Sequence, residues 1–73
     1  MKSVKEIRKI IRNKYLKAVF LVEAQNYLSF IPGVGKDEIL QVGFSYQNNS
    51  WEIYREEGCD NDGYKITVID TLI

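Results

Sequence analysis

Six carboxylates in the second half of this 73-residue chain, Glu52, Glu56, Glu57, Asp60, Asp62 and Asp70, are its densest group of chemically capable side chains. Two of them facing each other across a cleft would suit acid–base hydrolysis of the glycosidase kind. A chain this short leaves little room for a substrate pocket beside its core, so solvated strand and turn positions are the expectation for them. Asp60, Asn61, Asp62 and Gly63 also invite a calcium reading, because an EF-hand loop sets oxygen ligands at alternating positions before its glycine. Aligning Gly63 with that glycine puts Gly58 at the first ligand position and Ile69 where the bidentate glutamate belongs. A hairpin turn with Gly63 at positive φ accounts for the same residues. No histidine occurs, and the single cysteine, Cys59, sits beside acidic Asp60, where nothing stabilises a thiolate. The chain therefore lacks a zinc ligand set and every nucleophile–histidine arrangement. We expect no catalytic residue, no metal and no cofactor.

Anion recognition is the next chemistry to weigh. Gly33-Val34-Gly35-Lys36 is two residue types short of a Walker loop, with Phe30 and Asp37 where a glycine and a Ser or Thr are required. Residues 30–36, Phe-Ile-Pro-Gly-Val-Gly-Lys, resemble the hairpin of helix-hairpin-helix DNA-binding motifs, in which a Pro-Gly-hydrophobic-Gly turn offers amides to a phosphate. That resemblance implies helices over residues 16–31 and 36–42, and it meets Asp37 and Glu38 where the phosphate would lie. Lys5, Arg8, Lys9 and Arg12, with Lys36, form the candidate nucleic-acid set. The more ordinary reading of the basic helical residues is a solvated face on a core-packed helix.

The elements that would position these groups follow from periodicity. Ser3 followed by Glu6 has the capping-box spacing, and Val4, Ile7, Ile10 and Ile11 form an apolar stripe, which predicts an amphipathic helix of about three turns ending near Asn13. Residues 16–31 satisfy both helix and strand patterns. The Val19-Phe20-Leu21-Val22 run favours a strand buried on both faces, returning as Tyr27–Ile31 after a turn at 24–26. Pro32 to Gly35 is a loop. From Ile39 to Tyr54 apolar residues alternate about a polar block, the pattern of a β-hairpin. A two-residue turn at Asn48-Asn49 sets Tyr46 opposite Trp51, Phe44 opposite Ile53 and Gly43 opposite Tyr54. Leu40, Val42, Phe44, Tyr46, Trp51 and Ile53 then face the core, and Gln41, Ser45, Glu52, Tyr54 and Glu56 face away. Residues 58–63 read as a connection and Tyr64–Ile69 as a last strand. The expected fold is a single α+β domain over 1–73: an N-terminal amphipathic helix packed on an antiparallel sheet of three to five strands, a meander with a central hairpin at 39–54.

Zero net charge conceals a strong asymmetry. Residues 1–17 hold seven bases against Glu6, and the remainder holds three bases against nine acids, which is plus six in front and minus six behind. No stretch has the roughly 20 apolar residues of a membrane helix, and one cysteine allows no internal disulfide, so a cytoplasmic location is expected.

Helix, strands, and a hairpin strand carrying Trp51 and Tyr54 with an acidic-glycine exit at Glu57-Gly58 together resemble small bacterial immunity proteins of polymorphic toxin systems. The resemblance implies a stoichiometric inhibitor that performs no chemistry. We expect a protein-binding module of the immunity or phage and mobile-element inhibitor type, holding a basic toxin or enzyme domain through Glu52, Tyr54, Glu56, Glu57, Asp60 and Asp62. Nucleic-acid binding through the basic helix and the Pro-Gly-Val-Gly loop is the alternative. Homodimerisation through a free strand edge is a third expectation.

Overall fold

The structure, a computed structural model, describes residues 2–35, 37–60 and 63–72, and the side chains of Cys59, Asp60 and Tyr64 fall outside that description. Helix α1 spans Val4–Lys14 and starts where the capping pattern places it. Ser3 has extended backbone, and its Oγ accepts from the Glu6 amide at 3.3 Å. Ile7 and Ile11 are completely buried on one face, while the basic residues occupy the rest of the circumference. The helix closes one residue later than expected, where the Tyr15 amide donates to the Ile11 carbonyl.

Five strands follow: β1 (Val19–Ala24), β2 (Tyr27–Ile31), β3 (Leu40–Ser45), β4 (Ser50–Asp60) and β5 (Gly63–Leu72). They pair antiparallel in chain order, so the sheet is a pure meander with β1 and β5 at its edges. One helix on a five-stranded antiparallel sheet is the α+β architecture expected, and the strand reading of residues 19–31 prevails over the helical one. Among the described residues, 37–39 are irregular and β3 occupies 40–45, so they do not form the second helix implied by the DNA-hairpin resemblance.

Reading across the ladders identifies two faces. Leu28, Val42, Ile53 and Asp70 form one row, Phe44, Trp51 and Leu72 another, and Phe20, Phe30 and Leu40 a third, all on the side of α1. With Ile7, Ile11 and Ala18 the apolar members of these rows make the core, and Asp70 lies at its margin. The indole Nε1 of Trp51 donates to the Lys2 carbonyl at 3.2 Å, which ties the start of α1 to the sheet. At the other end of the helix Lys14 pairs with Asp70, whose carboxyl is held below its ordinary range mainly by that hydrogen bond.

The central hairpin differs from expectation in its turn. Ser45 pairs with Ser50, Phe44 with Trp51 and Gly43 with Glu52, so the loop is four residues long, Tyr46–Asn49, and the register is displaced by two. A type I′ turn would need positive φ at both Asn48 and Asn49, and only Asn49 (φ 51°) adopts it. The Ser45 hydroxyl instead accepts from the Asn48 amide at 3.2 Å and stabilises the longer loop. A displacement of two preserves the side-chain faces, so Leu40, Val42, Phe44, Trp51 and Ile53 keep the expected orientation. Tyr46 does not: it sits in the loop, 76% exposed, edge-on to Phe44.

Two strand expectations also change. β1 is an exposed edge strand rather than one buried on both faces, because one helix cannot cover a five-stranded sheet beyond its central strands. β4 runs on through Gly58 and Cys59, which were expected in a connection, and a register shift between Glu56 and Cys59 with Gly58 at φ 99° absorbs the irregularity. β5 begins at Gly63, at positive φ (111°) as expected, and extends to Leu72 rather than ending at Ile69.

Candidate functional site

Among the described residues no helix packs on the face of the sheet away from α1. One row crosses it from edge to edge as Val22, Ser29, Gln41, Tyr54 and Val68, and a second as Ala24, Tyr27, Gly43, Glu52 and Thr71. Val22 and Val68 are 50% and 46% exposed at the two ends of the first row, and Ile66, opposite Glu56, is 61% exposed. Between these apolar ends lies a hydrogen-bonded centre. Glu52 accepts from the Tyr54 hydroxyl at 3.0 Å through Oε1 and from Asn48 Nδ2 at 3.0 Å through Oε2. Burial pushes the Tyr54 phenol above its ordinary value of 10.0, and the adjacent Glu52 carboxylate pushes it further. The Tyr54 ring lies where a side chain on Gly43 would project, with its Cε2 3.6 Å from that position, so the aromatic covers the glycine diagonally across the ladder.

This arrangement corrects one expectation and separates the others. Glu52 was expected to meet a partner, yet it is only 6% exposed and both of its oxygens are engaged by neighbours. Its covering comes from the Asn48 side chain of the longer loop and from Tyr54 two residues along the same strand face. Tyr54 is half-buried, with its hydroxyl committed to Glu52. Glu56 is exposed and accepts from Gln41 Nε2 at 2.5 Å, and Glu57 is exposed. Both lie beyond the last β3–β4 pair, Leu40 with Arg55, where β4 has its ladder partner on β5 alone and the two strands continue as a ribbon. The side chain of Asp60 and the whole of Asp62 lie outside the described residues.

A second surface forms on the other side of the molecule. Lys5, Arg8, Lys9 and Arg12 fall at helical spacings of three and four, and with Glu23 they line a groove of about 390 Å³ between α1 and β1. The guanidiniums of Arg8 and Arg12 both lie over the Phe20 ring, 4.9 and 5.2 Å from its centroid. Arg8 approaches Glu23 at 3.9 Å; Lys5, Lys9 and Arg12 make no salt bridge among the described residues. The structure thus brings together four of the five residues of the candidate nucleic-acid set, and Lys36 lies outside the described residues.

Sequence reasoning missed Phe20 as the platform under the arginines, and Val22, Ile66 and Val68 as exposed apolar residues. Their signal was strand register, which a single strand's composition does not contain. No group of three or more potential metal ligands occurs among the described residues, and no helix among them is long and apolar enough to cross a membrane. Comparison with protein-family models, with curated proteins and with solved structures finds no match to this chain.

Proposed function

We propose that this chain is a non-enzymatic protein-binding module, an inhibitor of the immunity or mobile-element type, which captures a basic partner with its uncovered sheet face and the acidic β4–β5 ribbon. The observation that carries this reading is the one-sided covering of the sheet. Val68 and Ile66 remain exposed beside Tyr54 and Glu56 on the bare face, and Val22 is exposed at its opposite edge. Exposed apolar groups rimmed by charge are the composition of a recognition surface. The carboxylates would accelerate and orient the encounter, and the apolar residues with Tyr54 would supply affinity.

Nucleic-acid binding through α1 is the second reading, supported by the groove lined by Lys5, Arg8, Lys9 and Arg12. It ranks below the first because Phe20, the aromatic beside Arg8 and Arg12, lies under both guanidiniums and is not free to stack on a base. Both readings are tested by affinity capture from native host lysate with and without nuclease, using the wild-type chain, E56K/E57K and Val68→Asp. A basic protein retained by the wild-type chain and lost with the two sheet-face variants supports the proposal. Retention unchanged by those variants, or partners released by nuclease, defeats it.

A further inference from the structure

The groove between α1 and β1 and the ribbon of β4 and β5 carry charge of opposite sign on one molecule, and the groove's cations are incompletely paired within it. Four cations meet one carboxylate in the groove, and three of the four have no ion pair among the described residues. β1, which contributes Glu23 to the groove, is an edge strand, and among the described residues no strand pairs with its side away from β2. Val19, Leu21 and Val22 are exposed along that edge. The ribbon has the opposite character. Among the described residues β4 past Arg55 is paired to β5 alone, and it carries exposed Glu57 and exposed Glu56, which accepts from Gln41, with Lys65 on the facing strand. Two-stranded ribbons are marginal in water without a surface to pack on.

We propose that the acidic ribbon of one copy docks in the α1–β1 groove of a second copy, Glu56 and Glu57 against Lys5, Arg8, Lys9 and Arg12, so that the chain associates with itself. The overall charge balance favours this occupant. Plus six on the first 17 residues and minus six on the rest sum to zero, so two copies meet without net repulsion and attract when front faces back. Pairing two β1 edges symmetrically would instead bring two basic stripes together. The inference rests on the ribbon being a docking element, as in the function proposed above, and adds that self-association masks it until a partner competes.

Because the attraction is carried by exposed charges, it should respond strongly to salt. Between about 10 mM and about 1 M the screening length falls from about 30 Å to about 3 Å. Sedimentation velocity of the purified full chain, up to about 1 mM protein, should reveal association at low salt that weakens at least about tenfold at high salt. R8E/R12E and E56K/E57K should each be monomeric alone, while their equimolar mixture associates, because the reversed groove of one accepts the reversed ribbon of the other. Arg8 and Arg12 also pack on Phe20, so K5E/K9E provides the same reversal away from that ring, and circular dichroism verifies the fold of each variant. A wild-type chain that stays monomeric at low salt, a mixture that stays monomeric, or association unaffected by either reversal overturns the proposal. Low-salt binding of a labelled DNA duplex by a monomeric wild-type chain, lost in K5E/K9E, assigns the groove to phosphodiesters and overturns it too. R8E/R12E leaves the ribbon intact, so partner capture that survives while self-association is lost separates this inference from the function proposed above.

Discussion

Glu52 illustrates how a single residue changes its role once its neighbours are known. Its strand parity points it away from the core, but Asn48 and Tyr54 close over it and engage both oxygens. Glu52→Ala would remove the acceptor of both bonds, but Asn48 is exposed and Tyr54 half-buried, so water takes over much of the lost bonding and we expect a loss of about 0.5–1.5 kcal/mol in chemical denaturation. Tyr54 supplies the matching pH dependence. Its phenol titrates above 10.0 in the folded chain, so the neutral form is favoured by folding. That contribution is full below the unfolded value and disappears as pH rises through the folded one. In Glu52→Gln the Tyr54 midpoint, followed by NMR, should fall toward 10.0 without reaching it, because burial, the larger cause, remains. Trp51 is the one tryptophan of the chain and is buried, so its emission should be blue-shifted and should report unfolding directly.

At the scale of elements, α1 is held by packing in its middle and by one tether at each end. Ile7 and Ile11 contribute the packing, Trp51 holds the Lys2 carbonyl, and Asp70 holds Lys14. A 73-residue domain has a total stability of about 4–11 kcal/mol. Ile11→Ala, at about 2–5 kcal/mol, should therefore lower Tm by about 8 °C or more on a scale of about 4–8 °C per kcal/mol. Ser3→Ala removes only the cap and should cost about 1 kcal/mol. The Asp70 carboxyl is depressed, so its stabilisation is complete above the ordinary value of 3.8 and is lost as pH falls through the lower folded value. Asp70→Asn should flatten that acid limb of the stability curve. Being a largely exposed pair, Lys14 and Asp70 should change stability by less than about 1 kcal/mol at neutral pH.

For the whole molecule, the decisive fact is that one helix serves five strands. An 11-residue helix is about 16 Å long, enough to cover the centre of one sheet face and no more. Among the described residues no further element covers the opposite face or pairs with either sheet edge, and charge of opposite sign is distributed between the helix side and the ribbon. Replacing Val68 or Ile66 on the bare face with Thr should leave thermal stability within about 0.5 kcal/mol, as for other surface substitutions, while weakening capture of a protein partner. A stability loss of several kcal/mol in either variant would instead make them core residues.

The amino-acid sequence by itself determined the helix, its cap and its buried stripe, the alternation of the central hairpin and the identity of its core face. Those features depend on spacing within one segment, which composition and period record directly. Tertiary structure decided the remainder. The hairpin loop lengthened to four residues because Ser45 reaches the Asn48 amide and only one asparagine takes positive φ, which moved Tyr46 into solvent. β1 became an edge strand because its place in the sheet, not its Val-Phe-Leu-Val composition, sets its exposure. Glu52 was covered by a residue from the loop and one from its own strand. The groove arose because α1 lies beside β1, so that two arginines from the first segment settle on a phenylalanine from the next. Each of these outcomes is a distance between groups that no local pattern encodes, and the candidate surfaces are made of such distances.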